Sequence, residues 1–342
     1  MARVGLIGNP AAGRDVRRLT GGASVVDNYA KRRVAECVLA GLTAVTDPPD
    51  VRVMPDRAGI AEHARDESPE AVDVTVLEMP AEGSADDTRR AAARFREDDD
   101  VAAVVVLGGD GTTRDVACEI GDVPIVAVST GTNNVVPSAV DGTVAGVAAA
   151  LVATGAAAPN EAIARHGMVE ARAETATGER RLSALAAAEL SSRSFVGTRA
   201  LLDPGDLRGG VVSRAHPGDV GLAAVAGAVE NVAPDDPGGI ALRLADPAGA
   251  SRTVRAVLAP GVTAPVGIAS IERLEWNDPV RFDVADGVVG ADGERELELT
   301  DATVEMRVIP DGPRLVDVDA ALKAGADAGA LERTDRLPAT ED

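Results

Sequence analysis

Residues 101–107 form an unbroken apolar run rich in valine, and the turn Gly-Gly-Asp-Gly-Thr follows at once at 108–112. A run without alternation is typical of a strand buried on both faces, as in the middle of a parallel sheet. Three glycines within four positions let backbone N–H groups approach a ligand closely, and a helix is expected next. The segment therefore predicts a strand–turn–helix unit of an open parallel sheet.

The first half of the chain repeats this alternation. Apolar runs predict strands at 3–8, 51–54, 73–78, 101–107 and 124–128, and helical spacing predicts helices at 28–44, 84–95, from the glycine-rich turn to 120, and 142–153. This order predicts an α/β fold, a Rossmann-like doubly wound parallel sheet, over residues 1–155.

After residue 155 the pattern changes to short strands separated by Gly, Pro and Asp. They are expected at 168–173, 182–190, 210–214, 240–244, 253–259, 280–284 and 297–299, with one helix at 219–229. We therefore expect a β-rich second domain over 156–305. A strand at 304–309 and a helix at 317–330 are expected next. Residues 306–330 are expected to return to the first domain, and the polar tail 331–342 to be disordered.

The chain is strongly acidic, with 55 Asp and Glu against 34 Lys and Arg and a formal net charge of -21. This charge argues against binding of nucleic acid or of an anionic membrane, since both favour a basic surface. Lys31 and Lys323 are the only lysines, and this composition resembles that of cytoplasmic proteins of extreme halophiles. An acidic protein from a GC-rich genome is the alternative. A fold that is equally stable without salt would rule out the halophilic interpretation.

Two cysteines, Cys37 and Cys118, lie in helical patterns without a partner nearby in sequence, so a reduced cytoplasmic setting is expected. With three histidines and no cysteine cluster, we expect no metal held by a dedicated protein site. The chain runs directly into its first strand, and its longest apolar run is too short for a bilayer. We therefore expect neither a signal peptide nor a membrane span.

Asp110 is the strongest candidate for chemistry. Its turn lies at the carboxyl end of a strand, where open α/β sheets bind ligands, and Thr112 or Thr113 is expected to cap the next helix at a phosphate site. A carboxylate beside phosphate is unfavourable for binding alone, but it fits a residue that accepts a proton or meets a metal ion. The alternative is an ordinary Asp-Gly turn.

Three more segments are candidates for the same site. Residues 129–134, Ser-Thr-Gly-Thr-Asn-Asn, could hold ribose or phosphate oxygens or form a capped loop. Asn9-Pro10 follows the first strand, and Arg14 shortly after it could meet phosphate. Asp292-Gly293-Glu294 is either part of the site or a tight hairpin turn. The P-loop, the Gly-x-Gly-x-x-Gly fingerprint after the first strand and the protein-kinase signatures do not occur in this sequence.

On these residues the chain resembles the superfamily of NAD kinases and diacylglycerol-type lipid kinases. The turn at 108–112 carries the resemblance, supported by 9–13 (Asn-Pro-Ala-Ala-Gly) and 131–133 (Gly-Thr-Asn). The continuation at 113–115 and the stretch 196–200 are most similar to the archaeal ATP-NAD kinase group that includes acetoin-catabolism protein X. The resemblance implies a Rossmann-like domain, a β-sandwich domain and an active site in the cleft between them.

The resemblance also implies roles for individual residues. Asp110 would be the base or the orienting carboxylate, and Gly108, Gly109, Gly111 and Thr112 would cradle phosphate. Nucleotide contacts would come from Asn9, Gly131, Thr132, Asn133 and Asn134. Asp292, Glu294 and Arg14 are candidates for contact with substrate or metal, and Asp292-Gly293-Glu294 is similar to the late Asp-Gly-Glu of the lipid kinases.

The leading functional hypothesis is transfer of the γ-phosphoryl group of ATP, or of polyphosphate, to the 2′-hydroxyl of the adenosine ribose of NAD, with Mg²⁺ bridging the phosphates. The Thr-Pro-Thr-Gly-Ser-Thr-Ala-Tyr-like stretch of NAD kinases does not occur in this sequence. This gap leaves open a nucleotide-sensing protein without catalysis. The Asp292-Gly293-Glu294 segment leaves open a kinase of a lipid-like or other small alcohol. The resemblance implies a homo-oligomer.

Overall fold

The computed structural model of the chain describes residues 2–12, 26–131, 134–176, 178–192 and 204–332, with residue 295 described by its backbone alone. Within these residues the strands form one sheet of seven strands and one of nine. The first sheet is mainly parallel and has helices on both faces, and the second is antiparallel. The predicted fold class, an α/β domain followed by a β-rich domain, is confirmed.

Along the described part of the chain, six strands of the first sheet are followed by the nine strands of the second sheet and then by one last strand of the first. The first sheet contains β1 (Arg3–Gly8), β2 (Asp50–Val53), β3 (Val74–Val76), β4 (Val101–Gly108), β5 (Ile125–Ser129) and β6 (Ile163–Arg165). The second sheet contains β7 (Met168–Thr175), β8 (Gly178–Ala184), β9 (Ala187–Ser191), β10 (Leu207–Val212), β11 (Gly239–Ala245), β12 (Arg252–Ala259), β13 (Val262–Leu274), β14 (Val280–Ala291) and β15 (Glu294–Ile309). The last strand, β16 (Arg314–Val316), returns to the first sheet.

The helices in the described residues are α1 (Asn28–Leu42), α2 (Ile60–Asp66), α3 (Ala85–Arg96), α4 (Asp110–Ala117), α5 (Gly142–Ala153), α6 (Pro159–Ala162), α7 (Leu222–Gly227) and α8 (Val318–Asp327). Small residues let α5 pack closely on α1, since a Cβ built on Gly146 would lie 3.0 Å from the Cα of Gly41. None of the helices in this part of the chain has the length and apolar character needed to span a bilayer.

Strand β4 lies in the centre of the first sheet, whose order is β3-β2-β1-β4-β5-β16-β6. Its neighbours β1 and β5 run parallel to it. Val105 and Leu107 pack into the apolar core on one face of the sheet, whereas Val104 and Val106 pack into the core on the other face. The valine-rich run is therefore buried on both faces, as predicted, and it fixes the position of the turn that follows it.

The second sheet has the order β12-β13-β11-β10-β9-β14-β15-β7-β8, and every neighbouring pair in it is antiparallel. Its longest strand pair, β14 and β15, is joined by a tight turn at residues 292–293. Helix α7 covers the part of the sheet formed by β10 and β12. The β14–β15 turn reaches the glycine-rich turn that follows β4.

Several predicted elements have different bounds in the structure. The segment 182–190 forms two strands, because the Asp292 carboxylate accepts the N–H groups of Leu185 and Ala186 between them. Strand β13 is not predicted from the sequence, the segments near 297–299 and 304–309 are one strand, and the helix expected at 219–229 spans only Leu222–Gly227.

The chain crosses from the first sheet to the second between β6 and β7 and returns between β15 and β16. Residues up to Ile309 pair in the second sheet, so the strand that rejoins the first sheet is Arg314–Val316. Helix α8 follows it with Asp317 as N-cap and packs against α5. The domain boundaries at 155 and 305 stay a prediction, and residues 333–342 of the expected disordered tail lie outside the described residues.

Candidate active site

The loops after β4 and β5 pack directly against each other at the carboxyl edge of the first sheet. Asn134 joins them: its Oδ1 accepts the Asp110 N–H at 3.3 Å, and its Nδ2 donates to the Ser129 hydroxyl at 2.6 Å. A Cβ built on Gly131 would lie 3.0 Å from the Cα of Gly109. Glycine is needed at this contact because a side chain would separate the loops.

Helix α4 begins at Asp110, earlier than predicted. Gly109 is the N-cap residue and has no side chain, and Asn134 Oδ1 takes the Asp110 N–H at the start of the helix. The expected capping by Thr112 or Thr113 is therefore wrong, and the Thr113 hydroxyl donates to the Gly109 carbonyl at 3.1 Å instead. A helix N-terminus next to a glycine-rich turn favours an anionic ligand.

The Asp110 side chain is enclosed between the two loops, and the residue is only 4% exposed. Its Oδ2 accepts the Val135 N–H at 2.7 Å, and its Oδ1 accepts the Val136 N–H at 2.9 Å. Burial, with a smaller contribution from the charge of Asp292, raises the pKa of Asp110 to about 7, although these hydrogen bonds and Arg214 act against the rise. Asp110 can therefore exchange a proton near neutral pH.

The loop after β1 reaches the same turn. Asn9 Nδ2 donates to the Thr112 hydroxyl at 2.7 Å, and Asn9 Oδ1 accepts the Ala11 N–H at 2.8 Å. Thr112 is buried. Three loops from neighbouring parallel strands thus meet at one place, which brings the candidates Asn9, Thr112, Gly131 and Asn134 together around Asp110.

Asp292 and Gly293 form the two-residue turn between β14 and β15, both with positive φ, 54° and 80°. This confirms the interpretation of the segment as a tight hairpin turn. The turn also lies against the glycine-rich turn, because Glu294 Oε2 would be 3.7 Å from a Cβ built on Gly111. The segment is therefore a hairpin turn that also lies beside the candidate site.

Asp292 and Glu294 have different surroundings. The Asp292 carboxylate is buried and accepts the N–H groups of Leu185, Ala186 and Ala187 at 2.9, 2.7 and 3.1 Å. These bonds make Asp292 a structural anchor behind the turn. Glu294 is the carboxylate of this segment that faces the start of α4.

Arg114 on α4 binds the β14–β15 hairpin to the first domain. Its Nη1 donates to the Ala291 carbonyl at 3.2 Å, and its Nη2 donates to Glu296 Oε1 at 3.0 Å. Asp292 Oδ2 lies 3.6 Å from Nη1. Burial opposes the charged form of Arg114, but the negative charges of Asp292 and Glu296 outweigh this effect. They raise the pKa of the Arg114 guanidinium above its usual value. The sequence indicates this position only through its similarity to the archaeal group.

Two cavities flank the site. One, of about 290 Å³, lies where the loops after β1 and β2 meet the start of α3, and its lining includes Asn9, Pro10, Met54, Pro55 and Ser84. The other, of about 550 Å³, lies beside β5 and β16 and under the loop that follows β10. Val136, whose N–H binds Asp110, lines the larger cavity.

Sequence reasoning missed the ionisable side chains of the larger cavity, which are His166, Arg214, Asp235, Asp317 and Asp319. Burial, helped by Arg214, lowers the pKa of His166 to about 4, so this imidazole is neutral at pH 7. Arg214 Nη2 lies 3.4 Å from Asp219 Oδ1. These residues come from distant loops, and no motif in the sequence connects them.

Three candidates cannot be placed. Arg14, Thr132 and Asn133 lie outside the described residues, as does the stretch 196–200. Among the residues that are described, no three His, Cys, Asp or Glu side chains form a group that could hold a metal ion.

Comparison with known proteins identifies the family. Residues 4–156 match the ATP-NAD kinase N-terminal domain, and residues 168–311 match the acetoin catabolism protein X C-terminal domain. The chain is 38% identical over 329 residues to acetoin catabolism protein X of Cupriavidus necator, an alignment that covers 94% of this chain and 91% of that protein. The chain belongs to the acetoin catabolism protein X family, within the NAD kinase superfamily.

One solved structure similar to this chain is yeast NADH kinase complexed with NADH. Its TM-score is 0.49 at 14% sequence identity, and the match covers 98% of this chain and 90% of that one. Another is an NAD kinase from Archaeoglobus fulgidus in complex with ATP, with a TM-score of 0.38, 13% identity, and coverage of 97% and 100%.

Replacing the buried Arg114 tests the link between the two domains of this family member. Arg114→Met keeps an unbranched side chain but leaves the buried Asp292 and the half-buried Glu296 without their cation. We expect a loss of about 3–5 kcal/mol in the free energy of unfolding, measured with denaturant in molar KCl.

The matched control is Arg281→Met, which removes an arginine that is 74% exposed and pairs with Glu305. It should cost less than about 1 kcal/mol. Equal and small losses for the two variants would contradict the structural role of Arg114.

Proposed function

We propose that the chain is a kinase that transfers the γ-phosphoryl group of ATP to the 2′-hydroxyl of the adenosine ribose of NAD. The observation that carries this proposal is the burial of the Asp110 carboxyl at the N-terminus of α4, which raises its pKa to about 7. Each of its oxygens accepts one backbone N–H and keeps a second lone pair for a proton. A general base needs this combination of position and pKa.

The donor side of the site is the glycine-rich turn with the loop after β1. The turn and the start of α4 supply backbone N–H groups for phosphates, and Thr112 lies beside Asn9 at the rim of the smaller cavity. This cavity, with apolar Met54, Pro55 and Pro10 in its lining, suits the base and ribose of ATP.

The acceptor side is the larger cavity beyond Val136. Its charged and polar lining favours a nucleotide acceptor such as NAD over a lipid-like alcohol. An acyl chain would bury Arg214 and the aspartates without hydrogen-bonding them, which costs free energy. In the proposed reaction the acceptor oxygen bonds to the γ-phosphorus, the bond from that phosphorus to the β–γ bridging oxygen breaks, and ADP leaves. The hydroxyl proton passes to Asp110 and then to solvent.

Mg²⁺ would accompany ATP, because the described residues offer no dedicated metal site. Glu294, next to Gly111, is the carboxylate best placed to share an ion with the phosphates. The ion would neutralise part of the phosphate charge. The acidity of the chain and the family resemblance support the remaining parts of the proposal, which are a cytoplasmic location, adaptation to molar salt and assembly into a homo-oligomer.

The proposal predicts a pH dependence of NADP formation. Asp110 accepts a proton only when ionised, so kcat/KM should rise with pH through an apparent pKa of about 7 and then level off. A profile that is flat from about pH 6 to 8 at saturating Mg²⁺ would contradict the role of Asp110 as base.

Asp110→Asn should lower the rate of NADP formation by about 10²–10⁴ and leave the Kd of Mg-ATP nearly unchanged. The control is Asp115→Asn, on the same helix but bound to Arg89, which should keep its activity. A fully active Asp110→Asn protein would refute the assignment. Nucleotide binding without turnover on any acceptor would favour the sensing alternative, and turnover on a lipid alcohol alone would favour the lipid kinase.

A further inference from the structure

Lys31 is one of two lysines in the chain, and it is buried in the first turn of α1 with 1% of its surface exposed. An ammonium group is strongly hydrated, so its removal from water must be offset by hydrogen bonds. The residues that supply some of these bonds lie in the loop after β1.

The Lys31 Nζ donates to the carbonyl oxygens of Asn9, Pro10 and Ala12 at 3.0, 3.4 and 2.7 Å. The loop thus curves around the ammonium group as it would around a bound cation. Its carbonyls point inward to Lys31. Because the ammonium group offsets their negative ends, they repel a phosphate at the neighbouring glycine-rich turn less.

The same loop carries the contact to the glycine-rich turn. The Asn9 N–H donates to the Leu107 carbonyl at 3.1 Å, and the Asn9 side chain donates to Thr112. Pro10 and Ala11 line the smaller cavity. A continuous set of hydrogen bonds therefore connects Lys31, through the loop, to the start of α4.

The geometry favours lysine over arginine at this position. Three carbonyls converge on one atom, which suits a compact ammonium group with three rotatable N–H donors. A guanidinium group is planar and spreads its donors over three nitrogens, so it cannot satisfy the same three oxygens from one point. Lys31 stands at a site that requires this geometry, in a chain whose other cations are almost all arginine.

We propose that Lys31 is a positioning residue for the triphosphate donor: it shapes the loop at 9–12 and thereby sets the affinity for ATP but not for the acceptor. The inference rests on the proposed function for the identity of the donor. Lys31 itself lies behind the loop and takes no part in the chemistry.

The test compares Lys31→Arg with Lys323→Arg, which changes the other lysine, exposed on α8. We would measure the Kd of a non-hydrolysable ATP analogue with Mg²⁺, the Kd of NAD, and the melting temperature, all in molar KCl. Lys31→Arg should raise the Kd of the analogue by about tenfold or more and leave the Kd of NAD within about threefold. Lys323→Arg should change neither. A folded Lys31→Arg protein with unchanged analogue affinity would overturn the proposal.

A second measurement needs no variant. Wild-type protein is treated with an amine-reactive acetylating reagent, and the modification of each lysine is followed by mass spectrometry. Saturating analogue should slow modification of Lys31 by about tenfold and leave Lys323 unaffected, because it fixes the loop that covers Lys31. Equal rates with and without analogue would contradict the proposal. If the wild-type protein binds the analogue but makes no NADP, only the assignment of NAD as acceptor is refuted. If it does not bind the analogue, the proposed function and the role of Lys31 are both refuted.

Discussion

The hydrogen bonds from the Val135 and Val136 N–H groups to the Asp110 carboxylate hold the candidate site together. They tie the start of α4 to the loop after β5, and they enclose a carboxyl group that water would otherwise keep ionised at pH 7. Burial raises the pKa of Asp110 and the two N–H groups lower it, so it titrates near neutrality. Removing either loop would change both the position and the proton affinity of Asp110.

The second sheet completes this site through one hairpin. The β14–β15 turn is anchored at the back by Asp292, which accepts three backbone N–H groups, and at the side by the buried Arg114. These contacts place Glu294 beside Gly111. On the other side, Lys31 shapes the loop that carries Asn9. Two buried cations thus organise the surroundings of the glycine-rich turn in a chain with a net charge of -21.

Local features were predictable from the sequence, whereas long-range contacts were predictable only where sheet topology or the family resemblance pointed to them. The apolar run at 101–107 and the glycines after it predict the strand, the turn and the place of Asp110, since these depend on neighbouring residues. The start of α4 differs because Asn134, far along the chain, binds the Asp110 N–H. The break in 182–190 depends on Asp292, about a hundred residues away. Arg214 and His166 meet only through the tertiary fold, and so no local pattern reveals them.

Phosphoryl transfer at this site is tested most directly with ATP labelled in the γ-phosphate, NAD and Mg²⁺ in molar KCl. Product separation shows where the label goes. The proposed function predicts labelled NADP in an amount equal to the ADP formed. The proposed function is contradicted if ATP binds but the label stays in ATP or appears only in inorganic phosphate, with none in NADP.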